Sequence, residues 1–110
     1  MKYTQLGEFE ELVLLVIGSL GENAYSISIK EELKKRTKRN PSIGALHSAF
    51  NRLEKKGFVE SYEGGATHKR GGRSKRFYNM TTYGRKAIDQ SFELRSTLYN
   101  TLPQLGVSGE

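Results

Sequence analysis

Basic side chains are concentrated in the middle of this chain. Between Lys34 and Arg76 there are thirteen Lys or Arg and three Glu, so this segment carries +10 and the remainder −4. The net charge of the whole chain is +6. A charge split of this size is more typical of a polyanion-binding surface than of an ordinary solvated one, and it favours a nucleic acid as the partner.

A compact group of cations lies near the end of the basic segment. Its five Lys or Arg residues fall within eight positions that contain no acid, and two glycines separate two of the arginines. A solvated loop seldom needs such repulsion, whereas a narrow A·T-rich minor groove attracts guanidinium groups. The predicted contact residues of this group are Lys69, Arg70, Gly71, Gly72, Arg73 and Lys75.

Hydrogen-bonding side chains precede this group at helical spacing. If Leu46, Phe50 and Leu53 face inward, the opposite side of the same helix presents donors, acceptors and positive charge that suit base edges and phosphates. Any amphipathic surface helix also displays such residues to water, so this interpretation depends on the basic group that follows. The residues on this face or at its start are Gly44, Ala45, His47, Ser48, Asn51, Arg52 and Lys55.

Positions along this helix predict different roles for its side chains. His47 and Ser48 are the predicted contacts to base edges, and Asn51 carries the paired donor and acceptor that match adenine. Arg52 and Lys55 lie nearer the end of the helix. There we expect contacts to phosphate, which position a protein on DNA without selecting a sequence.

Residues that support catalysis are sparse. His47 and His68 are the only histidines, Asp89 is the only aspartate, and the chain has no cysteine. No nucleophile, base and orienting group occur at a recognisable spacing, and no GK[ST] follows Gly71 and Gly72 as in a phosphate-binding loop. The sequence therefore predicts no enzyme, no metal site and no cofactor.

The bulk composition fits one small domain. With 110 residues, of which 35% are apolar, the chain has room for one modest core. Its longest apolar stretch, Leu12 to Ile17, is far shorter than the roughly 20 residues that span a bilayer, and we see no signal peptide. The absence of cysteine suits a reducing compartment. We expect a cytoplasmic protein without a membrane partner.

Periodicity predicts two helices at the start of the chain. Apolar residues repeat every 3.6 positions over 8–20, which indicates a helix buried on one side that ends at Gly21. A second, half-buried helix is predicted over about 26–37. Pro41 prevents its easy continuation, because the residue before a proline avoids the α region.

A third helix follows the turn at Pro41. Either Ser42 caps it, or Asn40 is the cap and Pro41 the first helical residue. Ile43 begins its apolar stripe, and Gly57 ends it. After Gly57 the period changes to two, and two runs of β-propensity, 58–62 and 77–80, predict a hairpin with its tip around 69–73.

The fourth helix completes the predicted fold. Thr81 or Thr82 caps it, and Pro103 and Gly106 end it. We therefore predict a predominantly α fold with a small β-hairpin, the α-α-α-β-β-α order of a winged helix-turn-helix, in which the third helix enters the DNA major groove. Residues 1–81 form the predicted DNA-binding domain, and 82–110 form a dimerisation helix and tail continuous with it.

Four segments carry a resemblance to a known family, the PadR-like transcriptional regulators. The chain resembles this family over nearly its whole length, from Leu6 to about Leu98. The matching segments are LGEFEELVLLVIGSL, AYSISIKEEL, SIGALHSAFNRLEKKGFV and RGGRSKRFYNMTTYGRKAI. The resemblance implies a dimeric winged-helix DNA-binding protein, commonly a repressor, and some such proteins release DNA when they bind a small molecule.

The same resemblance implies particular contact residues. One difference from the family pattern is His47, which stands where a Tyr usually follows Ala-Leu. It changes a base or phosphate contact, so the operator preference does not carry over. The implied DNA contacts are Ser42, Gly44, Ala45 and His47 in the third helix, and Arg70, Gly71, Gly72 and Arg73 in the hairpin.

The fourth helix bears on self-association. A helix of about 20 residues spans roughly 30 Å and would overhang so small a domain unless another surface covered it. We therefore expect a homodimer that places two third helices about one DNA turn, or a multiple, apart on a palindromic operator. The predicted dimerisation residues are Ile88, Phe92, Leu98 and Leu102.

Three alternatives remain open from the sequence. The domain could dock an acidic protein as an adaptor. It could also sense an unknown small molecule at the dimer interface, in a pocket lined by Tyr83, Phe92 and Tyr99, although aromatic residues at helical spacing more often serve packing. RNA binding is the third alternative, but it favours an aromatic stacking platform, which the sequence does not supply.

Overall fold

The computed structural model describes residues 6–64 and 75–103. Within them, three helices precede an antiparallel hairpin and a fourth helix follows it, which confirms the predicted fold class. A short 3₁₀ turn, Gly21–Asn23, joins the first two helices. The elements are α1 (Glu8–Leu20), α2 (Ser26–Thr37), α3 (Ile43–Lys55), β1 (Val59–Gly64), β2 (Lys75–Met80) and α4 (Thr82–Tyr99).

The core lies where α1, α2 and α3 meet. Each helix contributes the apolar stripe that its periodicity predicts, and the hydrophobic effect favours their burial together. The start of the α3 stripe was predicted wrongly, because Ile43 is 40% exposed. The fully buried residues of the three helices are Val13, Leu14, Ile29, Leu33, Leu46, Ala49, Phe50 and Leu53.

The turn between α2 and α3 is held by side chains. Ser42 caps α3, since its hydroxyl accepts a hydrogen bond from the Ala45 amide at 3.0 Å. From α2, the Lys30 ammonium donates to the Asn40 side-chain oxygen at 3.0 Å and to the Pro41 carbonyl at 2.6 Å. These bonds fix the entry of α3 relative to α2.

The hairpin is attached to the helical core at one edge. Val59 pairs with Met80 at one end of the strand pair and Gly64 with Lys75 at the other. The Tyr78 amide of β2 also donates to the carbonyl of Ala24 at 2.9 Å, just before α2. The predicted tip, 69–73, lies outside the described residues.

The start of α4 is fixed to the end of α3. Thr81 caps α4 by accepting a hydrogen bond from the Gly84 amide at 2.9 Å, and its hydroxyl donates to the Gly57 carbonyl at 2.7 Å. The helix ends at Tyr99, so the prediction that Leu102 lies on it was wrong. After Tyr99 the amides of Thr101 and Leu102 bond to carbonyls three residues back and form a closing turn. The residue before Pro103 avoids the α region, so the helix does not continue.

No helix in the described part of the chain is long and apolar enough to cross a membrane.

Gly84→Ala should destabilise the fold. A Cβ at position 84 would clash with the carbonyl oxygen of Phe58, so the backbone must shift at a cost of about 1–3 kcal/mol. Urea unfolding measures the change in the free energy of unfolding. Gly44→Ala is the matched control, because the nearest atom to its Cβ is 3.9 Å away. Equal stability of the two variants would contradict the close contact.

Candidate nucleic-acid interface

The structure brings the predicted polar residues of α3 to one exposed face. Leu46, Ala49, Phe50 and Leu53 are buried on the opposite side of the helix. The hydroxyl of Ser42 accepts a hydrogen bond from the Ala45 amide, so Ser42 acts as the N-cap of α3. The exposed residues from the predicted set are Ser42, Gly44, Ala45, His47, Ser48, Asn51, Arg52 and Lys55.

His47 is the best-positioned side chain of this face. Its ring meets that of Phe50 edge to face, with 5.4 Å between centroids, and Phe50 is fully buried. The Phe50 ring in turn packs against Tyr78 of β2 at 4.3 Å. His47 is therefore supported by the core although it is exposed, which restricts the positions that its imidazole can take.

A surface depression of about 310 Å³ lies beside His47. It joins three elements: the start of α2, the exposed face of α3 and strand β2. The start of a helix carries amide groups without intrahelical partners and a partial positive charge, so this depression can accept a phosphate. Its lining residues are Tyr25, Ser26, Ile27, His47, Lys75, Arg76 and Tyr78.

The contribution of α2 to this depression was not predicted from the sequence. The signal was present in the capping pattern, because the Ser28 hydroxyl accepts from the Tyr25 amide at 3.0 Å and so marks the helix start. Lys75 is brought to the same place, where its ammonium lies 4.3 Å from the centroid of the Tyr25 ring.

Arg52 does not simply extend into solvent. Its Nε donates to Glu10 Oε2 at 2.6 Å, and the Lys56 ammonium donates to Glu10 Oε1 at 2.6 Å. Burial alone would raise the pKa of Glu10, but hydrogen bonds from Lys56, Arg52 and the Gly7 amide outweigh it and lower the pKa. Glu10 is therefore an ionised link from α1 to α3.

Arg76 lies near the loop end of the described strand pair, opposite Glu63. Its guanidinium donates to the Ser61 hydroxyl at 3.0 Å, and that hydroxyl donates to Glu54 of α3 at 2.7 Å. Burial and the negative charge of Glu54 raise the pKa of Tyr78, so its hydroxyl stays neutral. The remaining predicted hairpin contacts lie outside the described residues: Lys69, Arg70, Gly71, Gly72 and Arg73.

The basic end of α2 is partly neutralised. Arg36 pairs with Glu32 on the same helix at 2.8 Å, and Arg39 pairs with Glu8 at 3.0 Å. These exposed pairs contribute little to stability.

The second half of α4 and the turn that follows it carry an exposed apolar surface. Phe92 is 70% exposed, and Leu94, Leu98, Tyr99 and Leu102 are exposed as well. Ile88 differs from the other predicted dimerisation residues, because it is buried in the core of its own chain. Leu94 and Tyr99 were not predicted. We call Phe92, Leu94, Leu98, Tyr99 and Leu102 the apolar α4 surface.

A cavity of about 680 Å³ separates α1 from α4. Of the three aromatic residues predicted for a pocket, Phe92 lines this cavity, whereas Tyr83 packs against Phe58 with 5.3 Å between ring centroids. Tyr99 lies along a second groove beside Phe92. The principal lining residues are Glu11, Leu15, Gly18, Met80, Ile88 and Phe92.

Among the described residues, no group of three or more His, Cys, Asp or Glu side chains is arranged to hold a metal ion.

Three helices with a polar outer face on the third, followed by a hairpin, define a winged helix-turn-helix protein. The model of the transcriptional regulator PadR-like family matches residues 13–90. The chain belongs to this family, and it is accordingly a DNA-binding transcriptional regulator and not an enzyme.

The chain is also similar to proteins of known sequence or structure. An uncharacterised protein of Lysinibacillus sphaericus is 28% identical over 86 residues, which cover 76% of this chain and 74% of that protein. A PadR-like transcription factor from Bacteroides fragilis has a TM-score of 0.72 at 19% identity, with 84% of each chain covered. A PadR-like regulator from Bacillus cereus has a TM-score of 0.66 at 24% identity, with 93% of each chain covered. Both solved structures share the fold of this chain.

Proposed function

We propose that this protein is a cytoplasmic homodimeric repressor that binds a palindromic operator in duplex DNA. The observation that carries the proposal is the polar face of α3, which is exposed beside the hairpin and backed by a fully buried apolar side. A helix of this kind fits a major groove, and bound protein would occlude a promoter.

Base contacts are assigned to the first half of α3. Gly44 has no side chain and Ala45 only a methyl group, so the helix backbone can approach the groove floor closely. His47, Ser48 and Asn51 follow on the exposed face and offer donors and acceptors to base edges. These three residues carry the proposed sequence preference.

Phosphate contacts are assigned to the surroundings of that helix. Lys75 and the start of α2 border the depression beside His47, and Lys55 extends the positive surface along α3. The cations at 69–73, which lie outside the described residues, would add phosphate contacts. Such contacts supply affinity and orientation rather than sequence preference.

Dimerisation is assigned to residues 82–110, and DNA binding to 1–81. The apolar α4 surface supports this division. Four of its side chains, Phe92, Leu98, Tyr99 and Leu102, line one exposed groove, and an exposed apolar patch on a small protein marks an interaction site. A second copy that buried this patch would arrange two α3 helices about a twofold axis, which matches a palindrome.

His47→Ala and Asn51→Ala should each weaken the preferred operator about tenfold and change binding to random duplex little, because they remove base contacts. Lys55→Ala and Arg73→Ala should weaken both DNAs to a similar degree. Fluorescence anisotropy with an operator selected from a random pool, and with its scrambled sequence, measures these affinities.

The salt dependence of the same titrations tests the phosphate contacts. If a dimer neutralises about 8 phosphates, log K should fall with log salt at a slope near −7. A flat salt response contradicts DNA binding. Equal losses for every variant on both DNAs indicate non-specific binding instead, and a preference for acidic protein over competitor DNA supports an adaptor.

A Phe92→Ser, Leu98→Ser variant should dissociate the dimer. Removing two large apolar side chains from a buried interface weakens association by about 100-fold or more. Sedimentation equilibrium should show a mass near 12.4 kDa for the variant and twice that for the wild type. Ile27→Ser is the control, since Ile27 is an exposed apolar residue on α2. A wild-type monomer, or a variant that stays dimeric, contradicts this assignment.

We further propose that the cavity between α1 and α4 admits a small-molecule effector. Its volume of about 680 Å³ falls within the range of about 300–1,000 Å³ for ligand pockets. Its walls combine apolar Leu15 and Phe92 with polar groups: the Glu11 carboxylate, which accepts a hydrogen bond from Ser91 at 2.9 Å, and the Arg85–Asp89 ion pair. A ligand there contacts the helix that carries the apolar α4 surface, so it could alter dimer geometry.

A compound at about 100 times its Kd should stabilise the wild type by about 2.7 kcal/mol and raise Tm by several degrees. Leu15→Trp, which fills the cavity, should abolish this shift. A thermal-shift screen of both proteins measures it. Compounds that stabilise both proteins equally bind elsewhere, and a screen without stabilising compounds counts against an effector.

A further inference from the structure

Among the described residues, Glu10 is the one charged side chain that is buried. Its exposed fraction is 6%, and it lies in the first turn of α1, away from the exposed face of α3. The carboxylate accepts the Gly7 amide at 3.2 Å as well as Arg52 and Lys56 at 2.6 Å each. Both oxygens are therefore occupied, and the carboxylate is held in one orientation.

The Arg52 side chain is bonded to Glu10 at one nitrogen, and about half of its surface is exposed to solvent. The bond to Glu10 uses Nε, while 51% of the side chain remains exposed. A guanidinium carries five N–H donors in a fixed plane, so a carboxylate at Nε leaves the terminal nitrogens with donors for a second anion. The ion pair between Arg52 Nε and Glu10 therefore also fixes the direction in which the terminal nitrogens of the guanidinium point.

We propose that Glu10 is a positioning residue for DNA binding, which orients Arg52 on α3 so that its terminal nitrogens meet a backbone phosphate. This inference rests on the proposed function of α3. It assigns a role in DNA recognition to α1, the helix that lies behind α3. The entropy of ordering Arg52 is lost on folding rather than on binding, so operator binding gains from it.

Two other roles for Glu10 are physically distinct. As a competitor, the carboxylate would hold Arg52 away from phosphate, and neutralising it would tighten binding to every DNA. As a purely structural link, it would affect unfolding and leave the affinity of folded protein unchanged. A positioning role instead predicts weaker operator binding without Glu10, although the protein then gains positive charge.

Glu10→Gln should weaken operator binding about tenfold, in line with the loss of one oriented charged hydrogen bond. Glu8→Gln is the matched control: it removes the same charge from the same helical turn, but its partner Arg39 lies outside α3. Glu8→Gln should bind as tightly as the wild type. Anisotropy titrations at a temperature well below Tm measure all three proteins.

A double-mutant cycle identifies Arg52 as the intermediary. In an Arg52→Met background, Glu10→Gln should change operator affinity less than about twofold, because the positioned group is already absent. A full additional tenfold loss overturns the proposal. The proposal is also overturned if Glu10→Gln binds the operator as tightly as Glu8→Gln or more tightly. In either case, operator binding by the wild type would still support the proposed function of α3.

Arg52→Lys covers the case in which Glu10→Gln fails to fold. Lysine keeps the charge but lacks the planar fork, so it cannot bond Glu10 and phosphate in the same fixed geometry. We expect a loss of about tenfold on the operator. Wild-type affinity for this variant would mean that charge alone suffices, and it would overturn the proposal. A wild type that binds no duplex DNA removes both proposals together.

Discussion

The contact between Phe50 and Tyr78 connects the described elements of the candidate nucleic-acid interface. Phe50 projects from the buried side of α3, and Tyr78 from the inner face of the hairpin, with ring centroids 4.3 Å apart. The Tyr78 amide is bonded to Ala24 before α2, and His47 rests against the outer edge of Phe50. One pair of rings thus sets the positions of α2, α3 and β2 together.

Charge is arranged around this core in two ways. Some cations have carboxylate partners that hold them in place, such as Arg76 near Glu63 and Arg39 at Glu8. Others, including Lys55, are exposed on the outer face of α3. Fewer cations are therefore available to a polyanion than the excess of positive charge in the sequence suggests. Some of the basic side chains are instead oriented by carboxylate partners.

The sequence predicted most helix boundaries because local physics decides them. Apolar periodicity, the Ser42 hydroxyl and Gly57, whose φ is +80°, act within a few residues. The link from Glu10 to Arg52 was missed because it joins positions 42 residues apart, and no local pattern marks such a pair. Leu102 was misplaced for a related reason, since apolar spacing continues past the point where α4 ends.

The anchoring of α4 gives it the mechanics of a lever. Gly84, Ala87 and Ile88 are buried and Ser91 is still bonded to Glu11 of α1, whereas the large apolar side chains from Phe92 onward are exposed. From Ile88 to Tyr99 the helix extends about 16 Å at 1.5 Å per residue, so a tilt of about 10° at the anchor moves its far end by about 3 Å. Gly84 of α4 packs against the Phe58 carbonyl. In a dimer, small changes in this packing would thus alter the distance between the two α3 helices. The spacer length of the operator would then be set as much by this buried pivot as by the residues that contact bases.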